Sequence, residues 1–381
     1  MARILIVAGE ASGDRMGGML LREVKEVAPH HSFVGVGDRE LEAQGVELLV
    51  RSHELDVVGG LEAVSRLPRL YYAYTMLKDL ILSRKVDALL LIDYPGMNLK
   101  LARLARSVGL PVVYYVSPQI WAWRPGRIKR IKRSVNLMLV ILPFEEEIYR
   151  RAHVPVAYVG HPLLDVVKPK MGRGNFRHLY GLPLDRELVA LLPGSRKQEL
   201  DYLLEGMARA AEILAKVRGT AFVLPVAPTL SLEDVEARWS RLVKDRDINC
   251  VIMQGDTYSA VAAADAALVA SGTATLEAAL LGIPQVLVYR VNPVTYAIGK
   301  RLVRVKWLSL VNIILGAQVI PELVQSKAKA PIMAREIETL LNGGGEEMGR
   351  KMARLRDILG PPGASARAAR RLAAFLEERG L

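Results

Sequence analysis

The chain has 381 residues, 51% hydrophobic and 24% charged, a globular composition too long for one ordinary core, so two domains are expected. Its 52 Lys and Arg against 40 Asp and Glu leave a formal charge of +12, which favours nucleic acid, acidic lipid or a phosphorylated substrate without choosing among them. The lone Cys250 excludes an intrachain disulfide and points to a reducing compartment. No apolar run reaches the roughly 18 residues that span a bilayer.

The first strand pattern, Ile4–Ala8, opens at once, so no signal peptide is expected and a cytoplasmic location is. Further strands are expected at Ser32–Val36, Ala88–Ile92, Val112–Val116, Leu137–Leu142 and Val156–Val159, with helical stretches such as Met16–Ala28, Leu61–Leu82 and Leu99–Arg106 between them. This alternation predicts a parallel, doubly wound sheet. Pro162, Pro169, Gly172, Gly174, Gly181 and Pro183 mark His161–Asp185 as a linker. Alternation resumes with strands at Leu188–Leu192, Ala221–Val226, Asn249–Met253, Ala267–Ala270 and Gln285–Tyr289, and from Ile332 the pattern is helical. The expected domains are 1–165 and 166–345, with helices over 346–381 packing back toward the first.

Two small-residue loops follow buried strand patterns and lead into helices. They are Gly9-Glu10-Ala11-Ser12-Gly13-Asp14 and Ser271-Gly272-Thr273-Ala274-Thr275-Leu276-Glu277. A helix start of this kind offers backbone N–H groups and a positive dipole end to an anion. Small residues there also serve close helix–sheet packing, and both readings stay open. Glu277, about one turn into its helix, is placed to accept ribose hydroxyls.

Asp93 closes the run Ala88–Ile92, where the carboxyl end of a parallel strand faces a ligand crevice. Its alternative role is to start the next helix. Arg196, after Leu192-Pro193-Gly194-Ser195, is either a phosphate clamp or half of an inter-domain salt bridge. Trp121 and Trp123 suit a sugar or a lipid chain, or plain packing. Arg124, Arg127, Lys129, Arg130, Lys132 and Arg133 crowd one stretch, read as a solvated face or as a contact with anionic membrane or phosphate. Tyr71, Tyr72, Tyr74, Met76, Leu77, Leu80 and Ile81 cover too much of one helix for a single core stripe. That helix is either buried on two sides or partly exposed at a membrane surface.

Neither a complete G-x-G-x-x-G nor a G-x-x-x-x-G-K-[ST] fingerprint is present, which argues against a dehydrogenase or P-loop ATPase. With one Cys and six His no structural zinc site is expected, and neither a metal nor a cofactor is assigned. Asp245-Arg246-Asp247 reads as a solvated turn.

In order and spacing, several segments together resemble the lipid-A-disaccharide synthase family. They are Gly9–Asp14, Ile92-Asp93-Tyr94-Pro95 with Asn98, Tyr115–Trp123, Pro143-Phe144-Glu145, Val159-Gly160-His161-Pro162, Leu192–Arg196, Ser271–Glu277, Asn312 and Pro321-Glu322-Leu323. The resemblance implies a GT-B glycosyltransferase, two Rossmann-like doubly wound domains facing a central cleft, with the nucleotide-sugar held mainly by the second. It implies inverting transfer of 2,3-diacylglucosamine from its UDP derivative to 2,3-diacylglucosamine 1-phosphate, giving the β-1,6 disaccharide of lipid A and UDP.

On that reading Asp93 is the base, with Glu10 and His161 as rivals, and Arg196 assists the departing diphosphate. The donor set is Ser195, Arg196, Ser271, Gly272, Thr273, Ala274, Glu277 and Asn312; the acceptor set is Glu10, Ser12, Asn98, Gln119 and Trp121. The expected partners are the two acylated sugars and the anionic inner face of the inner membrane, without nucleic acid, and a homodimer stays open. A UDP-N-acetylglucosamine 2-epimerase and a basic nucleic-acid-binding protein are the alternatives.

Overall fold

A computed structural model describes residues 1–55, 61–244 and 246–381, with backbone alone at 61–67 and 298. Asp245 of the expected solvated turn therefore lies outside the described residues. The chain divides into two compact units, 1–165 with 359–381, and 166–358.

The first unit is built on β1 (Arg3–Ala8), β2 (Ser32–Gly37), β3 (Glu47–Arg51), β4 (Ala88–Ile92), β5 (Val112–Tyr115), β6 (Leu137–Val140) and β7 (Val156–Tyr158). Among the described residues these form one parallel sheet in the order β3-β2-β1-β4-β5-β6-β7. Every residue of β4 is buried, as expected of a central strand with helices on both faces. The strand order reverses direction between β1 and β4, the switch point at which such sheets open a crevice. Ala8 pairs with Ile92, so Gly9-Glu10 and Asp93-Tyr94 leave the sheet side by side. Strand β3 has no counterpart in the expected elements: it is an edge strand with half-exposed residues and no clean alternation.

The second unit carries β8 (Leu188–Leu192), β9 (Ala221–Val226), β10 (Cys250–Gln254), β11 (Ala266–Ala270), β12 (Gln285–Tyr289) and β13 (Glu322–Val324). They pair in parallel in the order β10-β9-β8-β11-β12-β13. Its switch point lies between β8 and β11, which release Pro193–Arg196 and Ser271–Ala274. The three-residue β13 is too short to show a periodicity.

The expected linker His161–Asp185 holds the boundary between the two units, but its second half carries a helix that reaches into the core. Helix Arg173–Leu179 buries Phe176 completely and Arg177 to 1% exposure. The Arg177 guanidinium donates to the carbonyls of Ala263 (3.0 Å) and Arg186 (2.9 Å) and to Asp265 Oδ2 (2.8 Å). Burial alone would raise the Asp265 carboxyl, but bonds from Leu188 N–H, Arg173 and Arg177 hold it below its ordinary value. A buried guanidinium satisfied in this way ties the entry segment to the β8–β11 edge.

The last helices do not form one block either. Helix Gly345–Leu359 falls in the second unit up to Ile358, whereas Ala364–Glu377 packs on helix Ala11–Val27 in the first. Within the first unit, Tyr158 Oη donates to Leu359 O (2.7 Å), Ser365 N to Asp165 Oδ2 (3.2 Å) and Arg367 Nε to Val159 O (2.9 Å).

Candidate active site

In the first unit, the turn from β4 into helix Pro95–Ser107 places two successive non-glycine residues at positive φ, Asp93 (43°) and Tyr94 (44°). Left-handed backbone at such residues costs on the order of 1–3 kcal/mol each and persists only where its surroundings enforce it. The surroundings do so here. Asn98 Nδ2 donates to Asp93 O (2.8 Å) and Ile92 O (3.1 Å), and the Tyr114 hydroxyl also donates to Asp93 O. The Tyr94 ring lies across Gly9, where a Cβ would stand 2.3 Å from it. Glycine is required at that point because any side chain would displace the ring.

Asn98 is 0% exposed and reaches Val7 O of β1 as well (3.3 Å). Expected in the acceptor set, it holds the Asp93 turn from below, with its own Oδ1 buried and without a partner among the described residues. His161, expected as a rival base, is also deeply buried. It is 1% exposed, its Nδ1 accepts from Leu163 N (3.2 Å), and burial pushes it down to about 4 against the pull of Asp165.

Asp93 has the opposite character. Burial, and next the Glu10 carboxylate at the end of the adjacent strand, push its carboxyl up to about 7, opposed by the Tyr94 N–H and the Arg127 guanidinium. Glu10 is half-buried at the start of helix Ala11–Val27, and Ser12 is exposed in its first turn. Ser12, Glu10, Asp93 and Arg127 thus belong to one end of the sheet.

Beside them, the loop after β5 exposes Gln119 and half-buries Trp121. The indole N–H donates to Glu145 Oε1 (3.0 Å), and the ring meets Phe144 edge-on at 5.2 Å. Glu145 also accepts from Ser117 Oγ (2.8 Å) and Leu142 N (3.2 Å), while burial pushes its carboxyl up to about 7. Glu145 therefore explains the Pro143-Phe144-Glu145 motif as the anchor of the tryptophan loop.

Both carboxyls are raised from ordinary values of 3.8 and 4.5 to about 7. The folded chain then keeps protons that the unfolded chain releases, and stability falls as pH rises from roughly 4 to 7. Urea melts across that range are expected to show the decline, reduced in Asp93→Asn.

In the second unit, β8 ends in Gly194 at φ 120°, where a Cβ would lie 2.2 Å from Glu199 Oε2. That carboxylate accepts from Ser195 N (2.9 Å) and stands 3.8 Å from Arg196 Nη1. The Ser195 N–H is thus engaged within the loop, while the Arg196 side chain is 44% exposed. Across the switch point, Ser271 N donates to Val288 O (3.2 Å), and helix Thr273–Leu280 starts after Gly272. Thr273 and Ala274 hold the first helical N–H groups, which have no acceptor within the helix. Glu277 Oε1 accepts from the Tyr258 hydroxyl at 2.9 Å.

Asn312, expected in the donor set, braces a loop beside this site. It is 0% exposed, and its amide donates to Ile320 O (2.9 Å) and Glu322 Oε1 (2.8 Å) while accepting from Val319 N and Ile320 N (2.8 Å each). With Glu322 it fixes the loop leading into β13.

Three residues near these sites escaped the sequence reading. Glu199 was legible, being three residues beyond the helix-capping Arg196, a usual position for a capping carboxylate. Tyr258 was not, because it comes from another helix. In the sequence Arg127 stands out only as one member of a basic run.

Two Rossmann-like units that share one six-strand order, with β7 added in the first, make this a GT-B protein, the architecture of nucleotide-sugar glycosyltransferases. The structure of UDP-GlcNAc 2-epimerase from Neisseria meningitidis bound to UDP-GlcNAc has a similar fold, with TM-score 0.64 at 12% identity over 99% of this chain and 100% of that one. A family model described as lipid-A-disaccharide synthetase matches residues 4–374. Lipid-A-disaccharide synthase of Syntrophus aciditrophicus is 45% identical over 96% of each chain. That of Geobacter metallireducens is 41% identical over 96% of this chain and 95% of its own. The chain belongs to the lipid-A-disaccharide synthase family of glycosyltransferases. The epimerase alternative has fold likeness alone in its favour.

Proposed function

We propose that the protein transfers 2,3-diacylglucosamine from its UDP derivative to the 6-hydroxyl of 2,3-diacylglucosamine 1-phosphate with inversion. An α-linked donor that yields a β-glycoside needs one displacement and no covalent enzyme intermediate. Asp93 takes the proton of the acceptor hydroxyl as the new bond forms, and UDP leaves. Arg196 and the N–H groups of Thr273 and Ala274 meet the diphosphate, and Glu277, oriented by Tyr258, meets the ribose. The observation that carries the base assignment is the Asp93 carboxyl, held at a strained switch-point turn and poised near 7. Glu10, Ser12, Gln119 and Trp121 are proposed to line the acceptor side. Incubation with both acylated sugars, followed by mass analysis, is expected to show the disaccharide 1-phosphate and UDP. Epimerised UDP-N-acetylglucosamine without disaccharide would overturn the reading.

The substrates carry acyl chains, and we place the protein at the anionic inner face of the inner membrane. Among the described residues no helix is long and apolar enough to cross a membrane. Helix Leu61–Leu82 buries Ala73, Leu77 and Ile81 along one stripe, while Tyr71 is 73% and Tyr72 64% exposed. The outer tyrosines therefore support the membrane reading over a helix buried on two sides. Lys129, Arg130, Lys132 and Arg133 are exposed, each worth about 1 kcal/mol near an anionic surface. Neutralising these four is expected to release the protein from anionic vesicles in low-salt co-sedimentation. Undiminished binding would remove the role of that stretch.

A further inference from the structure

Arg127 does not share the surroundings of the cations that follow it. It is half-buried, with its guanidinium carbon 4.7 Å from the centroid of the Trp123 ring, and Arg124 stands over the same ring at 4.7 Å. A stacked guanidinium is held by its face and keeps its N–H donors directed around its edge. Among the described residues those donors on Arg127 make no hydrogen bond and no salt bridge, and the carboxylate that supports the cation, Asp93, acts on it only at longer range. Burial, and next the charges of Arg124 and Arg130, make the Arg127 cation harder to hold. A partly desolvated Arg127 sharing one indole with the exposed cation of Arg124 is a site short of an anion.

Its place in the fold says which anion. Arg127 directly precedes helix Ile128–Ser134, which packs against helix Pro95–Ser107, and that helix starts two residues after Asp93. The two helices follow the adjacent parallel strands β4 and β5, so both begin at the carboxyl edge. Arg127 therefore stands on the same side as Asp93, and its charge reaches the Asp93 carboxyl.

We propose that Arg127, with Arg124 beside it, binds the anomeric phosphate of the acceptor sugar, an inference that rests on Asp93 serving the acceptor hydroxyl. In a hexosamine 1-phosphate only a short arc of the ring separates the 6-hydroxyl from the phosphate. A sugar with its hydroxyl at Asp93 thus carries its phosphate to a neighbouring cation. The planar guanidinium fork matches phosphate oxygens in a way an ammonium does not. It also offsets the phosphate charge, which would otherwise drive Asp93 to keep its proton.

The test uses the full chain and water-soluble headgroups, comparing glucosamine 1-phosphate with glucosamine by calorimetric or NMR titration. Wild type is expected to prefer the phosphorylated sugar. Arg127→Gln is expected to reduce that preference roughly tenfold to hundredfold, the range set by one lost charge-assisted contact. Arg127→Lys should reduce it less, and it decides the matter if thermal melting shows the Gln variant unfolded. An unchanged preference in the folded variant overturns the proposal, as does a wild type with no preference. If Arg127 instead serves only to keep Asp93 ionised, its removal would shift the pH dependence of turnover and leave the phosphate preference intact, which also overturns it. Because the titration involves no transfer, failure of the glycosyltransferase reading shows separately, in the two-substrate incubation.

Discussion

Asp93→Asn is expected to lower turnover by roughly 10²–10⁴, the usual contribution of a positioned base, while UDP binding survives. Asparagine is near in shape and tolerates the positive φ of that turn, so the fold is retained and only proton acceptance is removed. The proposed base would work when ionised, and burial with the Glu10 carboxylate raises its carboxyl to about 7. Turnover is therefore expected to rise with pH through neutrality and then level off, and the residual activity of the variant should lack that limb. Near-normal turnover in Asp93→Asn would pass the role to Glu10, because His161 is buried and already accepts a backbone hydrogen bond.

Arg196→Ala and Glu277→Ala are expected to weaken use of the UDP-sugar, each by about 1.5–3 kcal/mol, the worth of one hydrogen bond to a charged group. Steady-state kinetics with the donor varied is the measurement. The two should differ in kind. On the proposed assignment, Arg196 would meet charge that grows on the departing diphosphate, so its loss is expected in kcat, whereas Glu277 would hold ribose alike in ground and transition states, so its loss is expected in KM. Tyr258→Phe removes the hydroxyl on Glu277 and should give a smaller loss of the same kind. A UDP bound wholly on the first unit would refute the assignment.

Most strands were legible because parallel central strands are continuous apolar runs: Ala88–Ile92, Leu188–Leu192, Ala221–Val226 and Gln285–Tyr289 stand at their expected bounds. The elements missed, Glu47–Arg51 and Glu322–Val324, are edge strands, half-exposed or too short to carry a period. Within His161–Asp185 the helix Arg173–Leu179 was not legible, because Gly and Pro mark turns without saying what is buried between them. The hidden information was Arg177, a cation whose partners, Ala263 and Asp265, lie far along the chain.

The amino-acid sequence by itself determined the α/β class, the two units and the loops at each switch point, because strand and helix periods and strand-end chemistry are local. It also carried the short motifs that mark the family. What each motif residue does was decided only by the tertiary structure. Asn98 and Asn312 look like ligand contacts in the sequence and are buried braces in the fold. Arg127 looks like one of several surface cations and lies against Trp123 on the Asp93 side of the sheet. The reason is physical: desolvation, pKa and hydrogen-bond saturation depend on distant segments, and Asp93 acquires its raised pKa only once Glu10 and the surrounding core close around it.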